Sequence, residues 1–210
     1  MTTLEVATVI ISVLALVVSI FSLWMANLSP FNLRVLNDSP TFAVYKITPE
    51  ESGDEEGQTW WIPSFDIGIS FYNLGMRPGL VKDVRILAEF RGLLLAKKGY
   101  AFYPKWIVDY SKFEQSRPDR FDWIVNAVIR EWYPVLIGGK GEVHLHLILE
   151  SFRWDHRESG DMSLRLETLT SKKKAWVLHQ RYLLDFPDSI FDTNDRYTAS
   201  SEGEAITRDF

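Results

Sequence analysis

Residues 6–33 contain no charged side chain, and residues 9–23 are almost all Val, Ile, Leu, Ala, Ser and Phe. No other part of the chain has this character. A helix rises about 1.5 Å per residue and a bilayer core is about 30 Å thick, so roughly 20 apolar residues are needed to cross it. Residues 6–25 supply 20. Trp24 stands where an interfacial aromatic sits, and Asn27, Ser29 and Pro30 stop the helix. The expectation is an anchor over residues 1–30, with everything after it hung from it as one domain.

A second pattern lies inside the first. Thr8, Ser12, Ala15, Ser19, Ser22 and Ala26 recur at spacings of 4, 3, 4, 3 and 4. That spacing gathers the small and hydroxylated residues onto one stripe and leaves the large aliphatics on the remaining surface. In lipid a helix gains nothing by hiding Leu from other apolar groups, so helices associate by close packing and interhelical hydrogen bonds. A small-residue stripe with a 3.5-residue period suits left-handed packing against another helix. The expected partners are therefore the lipid bilayer and other transmembrane helices, from copies of this chain or from a partner subunit.

The stretch does not read as a cleaved signal peptide. The residues before it are acidic rather than basic, the apolar run exceeds a typical h-region, and Trp24 fits an A-x-A site poorly. The positive-inside count rests on Arg34 and, further out, Lys46, against no Lys or Arg on the N-terminal side. It leans toward a cytoplasmic domain. The absence of Cys is compatible with either side.

Residues 31–187 are the size of one ordinary domain, and residues 188–210 read as a flexible polar tail. A net charge of −5 argues against a nucleic-acid partner. Aromatics reach 14% of the chain, which favours strands, cores and interfaces.

Period-two alternation dominates this domain. Phe65, Ile67, Ile69 and Phe71 alternate with polar or small residues. Val84, Ile86, Ala88 and Phe90 do the same, as do Val143, Leu145, Leu147 and Leu149, and Met162, Leu164 and Leu166. Asn73, Gly75, Pro78 and Gly79 mark a turn between the first two of these strands. The strand, Asn-x-Gly-x-x-Pro turn and strand over residues 65–90 resemble the immunoglobulin-like sandwich domains of many prokaryotic membrane-anchored or secreted proteins. The resemblance implies a fold and no chemistry: mainly β, an N-terminal transmembrane helix followed by an antiparallel sandwich of seven to nine strands.

One helix is expected inside it. Phe121, Ile124, Val125, Val128, Ile129 and Trp132 follow a 3.6-residue stripe over residues 119–133, with Asp119 to cap it and Pro134 after it. It would cover a face or an end of the sandwich.

Chemistry is sparse. His144 and His146 lie two apart on a strand, about 7 Å from one another on one face. A third ligand would make a metal site, but paired surface histidines are common and no metal or other cofactor is expected. There is no Cys nucleophile, no G-x-S-x-G and no H-E-x-x-H. The reading is a non-catalytic single-pass membrane protein, an accessory or scaffold subunit of a membrane assembly or homo-oligomer. The alternative is a membrane-anchored ligand-binding or sensory module with an aromatic surface at Trp60, Trp61, Tyr103 and Trp106.

Overall fold

The computed structural model describes residues 2–47, 60–90, 99–115, 126–151, 160–193 and 195–202. Helix α1 (Thr3–Asn27) is 25 residues long with none buried. At about 1.5 Å per residue it reaches roughly 37 Å, enough to cross a bilayer core. It is the one helix among the described residues that is long and apolar enough for this. Its start is a capping box: the Thr2 hydroxyl accepts the Glu5 N–H and the Glu5 carboxylate accepts the Thr2 N–H. The Thr8 and Ser12 hydroxyls donate to carbonyls one turn back, at 2.9 and 2.8 Å. Two polar groups of the apolar stretch are thereby satisfied within the helix itself.

Among the described residues twelve strands follow, all paired antiparallel. They are β1 (Leu33–Asn37), β2 (Thr41–Ile47), β3 (Trp60–Asn73), β4 (Gly79–Phe90), β5 (Gly99–Val108) and β6 (Val128–Glu131), then β7 (Val135–Ile137), β8 (Glu142–Glu150), β9 (Gly160–Thr170), β10 (Val177–Phe186), β11 (Arg196–Thr198) and β12 (Ser200–Ser201). The hydrogen-bonded path runs β11-β2-β3-β8-β5-β4-β9-β10-β12, with β1 on β3, β6 on β5 and β7 on β4. The mainly β, antiparallel expectation holds. The sheet, however, is nearly closed and barrel-like.

Two features bring this about. β5 serves both walls: residues up to Phe102 pair with β4, and residues from Tyr103 on pair with β8 around an irregularity at Pro104–Trp106. Pro104 has no N–H for a ladder, so it belongs at such a break. The second feature is the C-terminal segment. β11 pairs with β2 at one end of the path and β12 pairs with β10 at the other. Ala199 between them is buried and donates its N–H to Pro40 O at 2.9 Å. One short segment thus bridges both free edges, which exposed strands otherwise leave open to aggregation.

This corrects the flexible tail expected over residues 188–210 as far as residue 202; residues 203–210 lie outside the described residues. Ile190 and Phe191, in a short 3-10 turn (Asp188–Phe191), are buried, and the Trp61 indole donates to Phe191 O at 3.2 Å. The polar composition of the segment misleads because its few apolar residues are the ones that dock.

The period-two readings place the core correctly. Phe65, Ile67, Ile69 and Phe71 of β3 are buried, as are Val84, Ile86 and Ala88 of β4 and Met162, Leu164 and Leu166 of β9. The centre is aromatic: Phe42 lies 4.9 Å from Phe65 and 5.0 Å from Phe186, and Phe65 lies 4.7 Å from Phe102 in an edge-on contact. Each such ring contributes about 1.5–3 kcal/mol by burial. β3 and β4 do not pair, so residues 74–78 carry the chain from one wall to the other.

Of the helix expected over residues 119–133, the part over 119–125 lies outside the described residues, residues 126 and 127 are helical, and the last part is not helix. Val128–Glu131 is strand β6, paired with Trp106, Ile107 and Val108. β6 takes up the β5 edge that β4 leaves, and its β-branched Val128 and Ile129 suit a strand. The short helix α2 (Tyr110–Gln115) lies earlier. α2 and β6 cover the outer face of the wall, where Phe113, Ala127 and Val128 pack on Ala43, Tyr45, Val108 and Ile148.

Candidate functional site

The most constrained polar site is the joint between α1 and the barrel. The Ser29 carbonyl accepts the N–H groups of Met76 and Arg77 at 3.0 and 3.1 Å, and its hydroxyl accepts the Met76 N–H at 2.9 Å. The Asn32 carbonyl accepts the Leu74 N–H at 2.8 Å. Asn73, the last residue of β3, is 2% exposed. Its Oδ1 accepts the Asn32 N–H at 3.2 Å and the Gly75 N–H at 2.9 Å. Its Nδ2 donates to the carbonyls of Arg77 and Gly138, both at 2.8 Å. An amide side chain has two acceptor sites and two donors, and here all four are used.

Packing tightens the same joint. Phe31 is buried against Gly79, where a Cβ would come within 2.1 Å of the ring. A Cβ on Gly75 would lie 1.9 Å from Pro30 O, so the linker backbone passes directly over that glycine. Lys172 donates to Phe31 O at 3.1 Å and Lys140 to Leu74 O at 2.7 Å. Three loops, residues 74–78, 138–141 and 171–176, converge on residues 29–32. His179 lies beneath them, with its Nε2 2.7 Å from the Thr168 hydroxyl, beside a small cavity of about 70 Å³ lined in part by residues 31–33. Burial, and then the Lys173 charge, hold the His179 imidazole below its usual range.

Thr8, Ser12, Ala15, Ser19, Ser22 and Ala26 are exposed along α1. None is buried against the barrel.

A second concavity, about 440 Å³, opens on the outer face of β3 and β8 and is lined by Asp38, Gly68, Ser70, Tyr110, His144 and His146 among others. Both histidines face it, as their spacing implies. The Ser70 hydroxyl is 2.6 Å from His144 Nδ1. His146 Nε2 lies 3.5 Å from Asp66, whose other oxygen takes the Arg196 guanidinium. The His146 ring lies 4.7 Å from Tyr110. Gly68 keeps the floor low, since a Cβ there would meet Asp38 Oδ2 at 2.4 Å. Beside it on the same outer face, burial, and then the Asp66 charge, raise the Tyr45 phenol far above its usual range, so it stays neutral. Among the described residues no three His, Asp or Glu side chains are grouped to hold a metal ion.

Of the four aromatics read together from the sequence, the three with described side chains have different surroundings. Trp61 packs against the main core, Trp106 on the outer cluster, and Tyr103 lies 6.4 Å from Trp176. The Trp60 side chain lies outside the described residues. The hub residue Asn73 was visible only as part of a turn, because its partners at Asn32 and Gly138 are remote in sequence. No protein-family model matches this chain. No curated protein matches it.

Proposed function

We propose that this is a non-catalytic, single-pass membrane protein in which α1 spans the bilayer and packs through its small-residue stripe against another transmembrane helix, from a second copy or from a partner subunit. The observation that carries this is the contrast between the two parts of the chain. All 25 residues of α1 are left unburied, while the linker after them is locked to the barrel through Asn73. A helix held so firmly passes its packing geometry to the domain, as an accessory or scaffold subunit requires. Nucleic acid is not a partner in this reading.

The test is the particle mass of the full chain in mild detergent, with and without Ser19→Leu and Ser22→Leu. Both changes leave the barrel alone and place bulk in the stripe. A fall in mass, or loss of a co-purifying protein, is expected. An unchanged particle removes the stripe as an interface.

A ligand-binding or sensory module is the second reading. It is favoured by the concavity beside His144 and His146 rather than by an aromatic cleft. The likeness of residues 65–90 to an immunoglobulin-like sandwich is supported by the crossing of residues 74–78 between walls.

A further inference from the structure

The end of the barrel from which α1 emerges carries a charge opposite to that of the chain. β3 reaches this end at Asn73, β4 leaves it at Gly79, β9 reaches it at Thr170 and β10 leaves it at Val177. The loops there expose Arg77, Lys140, Lys172, Lys173 and Lys174, and the adjoining strands expose Arg34 and Lys82. Asp83 and Glu142 are the acidic residues of the same segments. The whole chain has a net charge of −5, so this collar is a strong local reversal. Its cations are built into the joint itself, since Lys172 and Lys140 donate to carbonyls of the linker and of the loop beneath it. Exposed leucines lie among them: Leu28, Leu74 and Leu136, the last 68% exposed.

Cations and apolar side chains around the exit of an apolar helix are the composition of a membrane-contacting surface. Basic residues close to a membrane are attracted by anionic headgroups, and the attraction fades within a Debye length. The tight joint keeps the collar within that range. A long flexible linker would not.

We propose that the collar formed by Arg77, Lys140 and Lys172–Lys174 seats the barrel on an anionic lipid surface, with Leu74 and Leu136 entering the interface. This rests on the reading of α1 as a membrane span. It gives the domain a fixed height and tilt over the leaflet, in addition to the tether. Lys46 takes no part, because it pairs with Trp61 at the opposite end of β2 and β3.

The test uses the full chain in nanodiscs of phosphatidylcholine alone and of phosphatidylcholine with about a third phosphatidylserine. Lysine labelling by an amine reagent is read residue by residue. Labelling of Lys173 and Lys174 is expected to fall several-fold in the anionic discs relative to Lys112, which lies on the flank of the barrel, and to recover in half-molar salt. The variant K173E/K174E, which removes no side-chain hydrogen bond seen at the joint, is expected to raise Lys140 labelling in anionic discs to its neutral-disc level. Equal labelling in both lipids, with the chain incorporated, overturns the collar proposal and leaves the anchor standing. Failure of the chain to enter discs at all overturns both.

Discussion

The Asn73 side-chain oxygen accepts the backbone N–H of Asn32 at 3.2 Å, joining the end of a core strand to the linker below the apolar helix. The same amide makes three further hydrogen bonds while buried. Replacing it by Ala takes the buried partner away from two donors and two acceptors of the joint. Asn73→Ala is expected to lower stability by about 2–4 kcal/mol, from the usual penalty for unpaired buried polar groups. Chemical denaturation of the full chain in detergent measures this. A loss below about half a kcal/mol, within the scatter of surface substitutions, contradicts the role given to Asn73.

The closure of the barrel by its C-terminal segment makes a different prediction. Ending the chain after Pro187 removes Ile190, Phe191, Ala199 and both short strands, and leaves β2 and β10 as open edges. The truncated protein is expected to aggregate or to lose cooperative unfolding. A truncated chain with the melting temperature of the full one refutes the closure.

His179 supplies a pH dependence. Its folded pKa lies below the ordinary value of 6.5, through burial and then the Lys173 charge, so the unfolded chain binds the proton more readily. The stability gained by keeping it neutral is fully present above 6.5 and is lost as pH falls through the folded value. His179→Gln can still hydrogen-bond Thr168 but does not titrate. The melting temperature of the wild type is expected to fall more steeply than that of the variant between about pH 7 and pH 5. Parallel curves contradict the assignment.

Much of this fold was legible because burial on one face of a strand leaves a period of two in the residues. Phe65 to Phe71, Val84 to Ala88 and Met162 to Leu166 carry that period and are buried as expected. The apolar helix was legible from length alone. The C-terminal closure was hidden because β11 and β12 are three and two residues long and pair with strands far away in sequence. Over residues 128–131 a helical period lost to a local need, the open edge of β5. The joint was half visible: Asn73, Gly75 and Gly79 announced a turn, but the linker that Gly75 and Gly79 make room for is 41 residues from Asn73 at its nearest hydrogen bond. Within the aromatic set, Trp61 packs on the main core and Trp106 on the outer cluster, a split that depends on pairing across the sheet and not on nearness in sequence.

Whether α1 and the barrel form one rigid piece is read from an electron-spin distance measurement. The chain has no cysteine, so labels can be placed at Ile20→Cys, outside the stripe, and at Asp161→Cys, exposed at the far end of β9. In nanodiscs a single narrow distance distribution is expected, and it broadens when Asn73→Ala is added. A broad distribution in the protein without that change, the signature of a flexible tether, would contradict it.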